Sequence, residues 1–266
     1  MLTFAAVGDN CIDRFSPAGT SLVGGNAVNV AIQLRRLGEA VAYFGAVGQD
    51  AEGQRTIGEL VRYGVDVESV EAAPTVTAYT EILVDARGDR TIGFEEFGAC
   101  RDYRPSPADV RRILSAEHVH IGWLNDGGAL RALLASHKTS VSQDITVNAD
   151  PASLQVQGLD VAFGSCDESL SRARNLARRL VDQGAKLAVI TCGALGSVAW
   201  NGTDAVETGI RPVNVVDTTG AGDSFIAGFL AARRHGRSLQ ACLEGGRDAA
   251  ALTCTHLGGF PQNLHR

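Results

Sequence analysis

One twelve-residue string, Asp217-Thr218-Thr219-Gly220-Ala221-Gly222-Asp223-Ser224-Phe225-Ile226-Ala227-Gly228, concentrates the residue types that can do chemistry. Glycines two apart let backbone N–H groups turn toward a common point, and a helix starting near Ala221 adds its positive end there. Asp223 falls in the first turn of that helix. A carboxylate in that place gains roughly 0.3–1 kcal/mol from the helix dipole and is expected to stay ionised. It would repel a resting phosphate yet accept a proton. An anion hole beside an ionised base is the equipment of phosphoryl transfer to an alcohol. The amides take charge that builds on the moving group, and the carboxylate takes the hydroxyl proton.

Two other phosphate-binding designs are absent. A dinucleotide fingerprint needs glycine where Phe225 stands. The two lysines, Lys138 and Lys186, close no G-x-x-x-x-G-K-S/T loop, so a nucleotide must be held without that lysine cradle.

The 266 residues are 45% hydrophobic and 20% charged and include 31 glycines, as in one large turn-rich globular domain. A net charge of −6 excludes a surface built for nucleic acid. Cys11, Cys100, Cys166, Cys192, Cys242 and Cys254 form no C-x-x-C pair and suit buried thiols, not a disulfide framework or zinc site. The first residues lack a basic segment, and the uncharged stretch 187–203 is broken by three glycines. The expectation is a cytoplasmic protein without signal peptide or membrane partner.

Positioning the string is the task of an alternating pattern. Strands are expected at 3–8, 41–47, 119–123, 140–145, 161–164, 187–192 and 197–200, and helices at 26–37, 50–63, 108–115, 129–136, 168–183, 221–233 and 239–255. Such alternation argues for a mainly parallel sheet covered on both faces. Segment 75–97 breaks the rhythm as a hairpin turning at Ala86-Arg87-Gly88-Asp89, and 12–23 is a second extended piece. They make either a small sheet acting as a lid over a cleft or an antiparallel edge of the main sheet. His118 and His120 share one strand face and read as structural residues. Asn125 and Asp126 follow a strand end, where either ligand contact or a loop start would use them.

The string resembles the signature of the ribokinase-like carbohydrate kinases, the PfkB family. Gly24-Gly25-Asn26-Ala27-Val28-Asn29-Val30-Ala31 with Leu37-Gly38 resembles that family's N-terminal signature, and segments 45–53 and 191–196 agree in order and spacing. Gly8-Asp9-Asn10-Cys11-Ile12-Asp13 joined to the N-terminal signature is similar to the branch that phosphorylates fructosamines on the 6-hydroxyl.

The resemblance implies an α/β ribokinase-like three-layer sandwich over 1–266, with a mainly parallel central sheet and small β-sheet lid segments at 12–23 and 75–97. It implies transfer of the γ-phosphoryl of ATP to a primary hydroxyl of a small sugar: a fructosamine, or ribose, fructose or 2-keto-3-deoxygluconate. Asp223 matches the base, and Gly220, Ala221 and Gly222 the anion hole. Asp13, Gly25 and Asn29 match sugar contacts. Thr191, Gly193, Gly196, Asp248 and Gly258 match positions beside the nucleotide, Asp248 standing where the family often has Asn. Glu168 matches an organiser of Mg2+ in its outer shell, although Ser165 replaces the usual Asn before it. Asp217 and Thr219 lie where the family often holds a monovalent cation such as K+.

On the hairpin, Arg90 and the acids Glu81, Glu95 and Glu96 are candidates for binding an amino-acid moiety of the sugar. Exposed hairpin edges suggest a homodimer through the lid. The readings that compete are a non-catalytic sugar or nucleotide sensor on the same fold and, set aside by the missing fingerprint, a dinucleotide oxidoreductase.

Overall fold

A computed structural model of the protein describes residues 2–84, 90–147, 149–166 and 169–265. Along the chain run β1 (Phe4–Val7), β2 (Cys11–Ser16), β3 (Thr20–Gly24), α1 (Asn26–Arg36), β4 (Val41–Gly48), α2 (Ala51–Arg62), β5 (Val70–Ala73), β6 (Tyr79–Val84), β7 (Arg90–Glu96), α3 (Pro107–Leu114), β8 (His118–Ile121), α4 (Ala129–Ser136), β9 (Ser140–Asp144), β10 (Val161–Ser165), α5 (Leu170–Asp182), β11 (Ala188–Thr191), β12 (Ser197–Trp200), β13 (Ala205–Thr208), α6 (Ala221–Arg234) and α7 (Leu239–Thr253).

Among the described residues, nine strands form one sheet in the order β13-β12-β11-β10-β9-β8-β1-β4-β5. Every pairing from β11 to β5 is parallel, while β12 and β13 run antiparallel at one edge. Alternation along the strands sends side chains to two separate cores. Phe4 and Ala6 of β1 pack with α1, α6 and α7, whereas Ala5 and Val7 pack with α3, α4 and α5. A sheet buried on both faces explains why strands such as Phe4–Val7 are continuously apolar. The result is the expected three-layer α/β ribokinase fold.

The remaining strands form a second sheet in the order β3-β2-β6-β7. Segments 12–23 and 75–97 therefore meet in one small sheet and are not an edge of the large one; the expected turn at 86–89 lies outside the described residues. Asp50, the N-cap of α2, anchors the approach to β6. Its Oδ1 accepts from the Gly53 N–H at 2.8 Å and the Thr77 hydroxyl at 2.6 Å, and its Oδ2 accepts from the Thr77 N–H at 2.8 Å. A separate small core of Ala78, Cys100 and Trp123, with Phe97 packed on it, lies beside the start of β6.

Strands β5 and β13 were not expected, and their half-exposed burial shows why: neither has an apolar run to betray it. All six cysteines are free thiols. No helix among the described residues is long and apolar enough to cross a membrane.

Candidate active site

The carboxyl ends of β1, β8 and β9, the N-termini of α1 and α6, and the small sheet surround a cavity of about 320 Å³. Asp223 projects into it from the first turn of α6. Its Oδ2 accepts from Asn29 Nδ2 at 2.7 Å and its Oδ1 from Asn26 Nδ2 at 2.7 Å, so both oxygens are held by amides of α1. Asn26 Nδ2 donates again, to Asp144 Oδ2 at 2.9 Å. Asp9 fixes the start of α1 by accepting the N–H groups of Asn26 at 2.8 Å and Ala27 at 3.2 Å. It also accepts from the Trp123 N–H at 3.0 Å, tying the ends of β1 and β8 to that helix.

Three carboxyl groups thus converge at the wall of the cavity, Asp144 buried and Asp9 and Asp223 partly so. Burial pushes Asp223 well above the usual carboxylate range, the charges of Asp144 and Asp9 push the same way, and the donors Asn29 and Asn26 pull it back. Burial also raises Asp9 and Asp144. The expectation of a firmly ionised first-turn acid is corrected here: the helix dipole acts, but enclosure and two like charges outweigh it.

Two glycines let the backbones come this close. Gly25 has φ 101°, and a Cβ there would lie 2.5 Å from the Asn10 Cα. Gly220, the N-cap of α6, has φ 72°, and a Cβ there would lie 2.3 Å from the Gly259 Cα. Beside the large cavity, Gly222, Thr191, Ser165, Asp144 and Thr146 help line a second, small one of about 30 Å³.

The profile of the pfkB family carbohydrate kinase matches residues 16–263. The chain belongs to the pfkB family. As a member it is an ATP-dependent carbohydrate kinase. It is 34% identical to fructoselysine 6-kinase of Escherichia coli (strain K12) over 263 residues, covering 98% of this chain and 100% of that protein. It is 30% identical to a fructosamine kinase of Bacillus subtilis (strain 168) over 265 residues, covering 96% of this chain and 92% of that one. Its fold matches that of Arabidopsis thaliana ribokinase complexed with ribose and ATP, with TM-score 0.85 and 22% identity over 97% of this chain and 94% of that chain.

In this pfkB kinase the expected sugar positions Asp13, Gly25 and Asn29 line the large cavity with Asp223 and Gly220. Thr191 and Gly222 meet at the small one. The Ala221 N–H is turned to the Thr218 carbonyl at 3.1 Å, so it bonds within its own loop. Gly193 and Gly196 make the turn between β11 and β12; a Cβ on Gly196 would strike the Thr208 carbonyl at 2.0 Å.

The Asp217 carboxylate accepts from the Thr219 N–H at 3.0 Å, the Thr219 hydroxyl at 2.9 Å and the Gly258 N–H at 2.9 Å, stapling the 217–220 loop to the C-terminal segment. Asp248 lines neither cavity and pairs with Arg247 at 2.9 Å on α7. Glu168 and the Arg90 side chain lie outside the described residues. Of the hairpin acids, Glu95 and Glu96 line the large cavity, whereas Glu81 is exposed and stands apart from it. Asp126 caps the start of α4, accepting the N–H groups of Gly128 and Leu130 at 2.8 Å each.

Asp9, Asn26, Asp144 and the stacked pair Phe97–Trp123, with ring centroids 4.6 Å apart, were missed as site residues. Asn26 lies inside the N-terminal signature and Asp9 beside it, so proximity to that string was the available signal; Asp144 had none.

Proposed function

We propose that this kinase phosphorylates the 6-hydroxyl of a fructosamine of the fructoselysine type. The observation that carries the reading is the charge of the sugar cavity. Asp9, Asp13, Glu95, Glu96, Asp144 and Asp223 line it; Arg101 pairs with Glu96 at 2.9 Å, and no lysine or arginine lines the cavity itself among the described residues. A sugar bearing an ammonium group suits such a wall, and a sugar acid such as 2-keto-3-deoxygluconate does not. The similarity to a fructoselysine 6-kinase and a fructosamine kinase supports the same substrate class. Phe97 stacked on Trp123 offers an apolar face for the sugar ring.

Asp223 takes the proton of the primary hydroxyl. Its raised proton affinity brings it closer to neutral pH, where a general base is most effective. Asn29 and Asn26 hold the two oxygens so that the base keeps one orientation. The N–H groups of Gly222 and Asp223 in the first turn of α6, entered through Gly220, receive the transferring phosphoryl group, the Ala221 and Ser224 N–H groups being spent on Thr218 and Gly220, with Gly222 beside the small cavity.

ATP and Mg2+ fit this surface. Backbone N–H groups suit phosphate oxygens, and Asp144, Ser165, Thr146 and Thr191 supply the hard oxygen donors, direct or through water, that Mg2+ prefers. Held there, Mg2+ would neutralise charge on the phosphates, a role for which neither lysine is placed in either cavity. A K+ beside Asp217 and Thr219 would be met by loop carbonyls, since the Asp217 carboxylate is engaged by protein donors.

The small sheet acts as the lid. Its exposed Leu83, Ile92 and Phe94 favour a homodimer through that sheet.

ADP release from MgATP over fructoselysine, other fructosamines, ribose, fructose, 2-keto-3-deoxygluconate and nucleosides tests the reading. Selective turnover of fructosamines is expected; turnover of a sugar acid alone overturns the substrate class and leaves the kinase mechanism standing.

A further inference from the structure

Behind the site runs a line of buried polar groups with no contact to the cavity. His118 Nδ1 lies 2.8 Å from Ser140 Oγ and its Nε2 2.8 Å from Ser142 Oγ. Ser142 Oγ lies 3.0 Å from His120 Nδ1, and His120 Nε2 lies 3.3 Å from Asn26 Oδ1. Ser142 and His120 are fully enclosed, and His118 is buried. Three buried polar side chains, His118, His120 and Ser142, are costly in a sheet core unless each is paired, and here each is, with half-buried Ser140 closing the line.

The pairing has only one consistent direction. Asn26 spends its Nδ2 hydrogens on Asp223 and Asp144, so its Oδ1 faces His120 as an acceptor. His120 must then carry its proton on Nε2, leaving Nδ1 to accept from the Ser142 hydroxyl. Ser142 in turn accepts from His118 Nε2–H, and His118 Nδ1 accepts from the Ser140 hydroxyl. A reversed Asn26 amide would set its carbonyl oxygen against two carboxylates and its N–H against the protonated Nε2.

We propose that the line from Ser140 to His120 locks the Asn26 amide with its N–H groups toward the carboxylates, making His120 a positioning residue for Asp223. Burial keeps both rings neutral, holding His118 down to about 4 and His120 to about 3, so that each can donate from one nitrogen and accept at the other. The inference rests on Asp223 being the base.

The test is the pH dependence of kcat for the purified full-length kinase, with MgATP and fructoselysine or whichever panel sugar turns over fastest. Around Asp223 the other titratable groups are Asp9, Asp13, Asp144, Glu95, Glu96, Cys11, Cys100 and Tyr79, all unchanged by the variants used. His120→Phe keeps the ring volume and removes the donor. Asn26 Oδ1 then loses its donor and the amide is held from the carboxylate side alone, so its N–H bond to Asp223 loosens and the acid limb of kcat moves upward by about one pH unit, with kcat near neutrality down about tenfold and KM for the sugar little changed. His120→Gln returns an N–H near the Nε2 position and restores the limb. Loss of packing alone would lower thermal stability and leave the limb in place.

Should His120→Phe not fold, Ser142→Ala keeps both rings and removes the hydroxyl that sets the His120 tautomer, and its limb moves the same way. An unmoved limb in a folded variant, with Asp223→Asn inactive, overturns the positioning role. Activity retained by Asp223→Asn overturns the base itself and is read separately.

Discussion

Asn29 donates its Nδ2 to Asp223 Oδ2 at 2.7 Å, while its own Oδ1 is buried without a partner among the described residues. The amide is therefore committed to the carboxylate and to nothing else. This pair joins the two signature strings across the sequence and sets the base in place.

Asp223→Asn is expected to lower kcat by about 10²–10⁴ while sugar affinity by titration calorimetry stays within a few-fold. Asn29 can reverse and present its orphaned Oδ1 to the new amide, so the fold accommodates the change. The raised carboxyl also gives a stability effect. A group that holds its proton more tightly when folded costs stability as pH rises from the unfolded value through the folded one. At pH 7 the variant should melt above the parent, by about 2–4 °C for each ~1 kcal/mol of relief, and the gap should close as pH falls toward 4. Retained turnover, or a lower melting point at pH 7 alone, counts against this account.

Removing the donor instead of the acceptor should act through pH. Asn29→Ala leaves Asp223 with the Asn26 N–H only, so its proton affinity rises further and the acid limb of kcat moves up. Activity lost at neutral pH, about tenfold, should return in part at higher pH. A uniform loss at every pH would assign Asn29 to sugar binding alone.

Glu95 tests substrate class. Glu95→Gln keeps the shape of the wall and removes a charge, so KM for fructoselysine should rise about 10- to 100-fold, the range of a hydrogen bond to a charged group. KM for fructose, which has no ammonium group, should hardly move. Equal effects on both sugars would sink the ammonium contact.

What was legible in the sequence follows from how local each signal is. Helix 129–136 and strand 197–200 were placed to the residue, because apolar spacing and bounding turns lie within a few residues of each other. Edge strands Val70–Ala73 and Ala205–Thr208 were not, since half-exposed edges carry mixed residues. Gly220 and Asp223 stood out because they share one loop and one helical turn. Asp144 did not, because its role exists only when β9 is brought beside Asn26, 118 residues away, and a lone acid at a strand end looks like any other. His118 and His120 were correctly read as structural, yet only the parallel pairing of β8 with β9 puts Ser140 and Ser142 against them.

Gly220→Ala should damage both fold and turnover. At φ 72° a side chain costs energy by itself, and the new methyl would sit 2.3 Å from the Gly259 Cα, so the loop before α6 must shift. A loss of roughly 1–3 kcal/mol, read as a melting point several degrees lower, should accompany a fall in kcat larger than any change in KM for the sugar. Gly222→Ala is the control, since a Cβ there meets nothing within 4 Å. Equal melting points for the two variants would contradict the packing argument.

Acid should weaken the protein through its buried rings. His118 and His120 protonate near 4 and 3 when folded but near 6.5 when unfolded, so the stability they confer is complete above pH 6.5 and drains away as pH falls through that window. Each pH unit inside it costs about 1.4 kcal/mol per histidine, or about 2 kcal/mol for each at pH 5. The carboxyl groups of Asp9, Asp144 and Asp223 act in the opposite sense, which makes a difference measurement the clean one. The stability advantage of the parent over His120→Gln, measured by urea unfolding, should shrink by about 2 kcal/mol between pH 7 and pH 5, because glutamine does not titrate while the carboxyl contributions are largely common to both. An advantage that stays constant across that interval would mean that His120 is charged inside the fold, and the one-way line of donors from His118 to Asn26 could not exist.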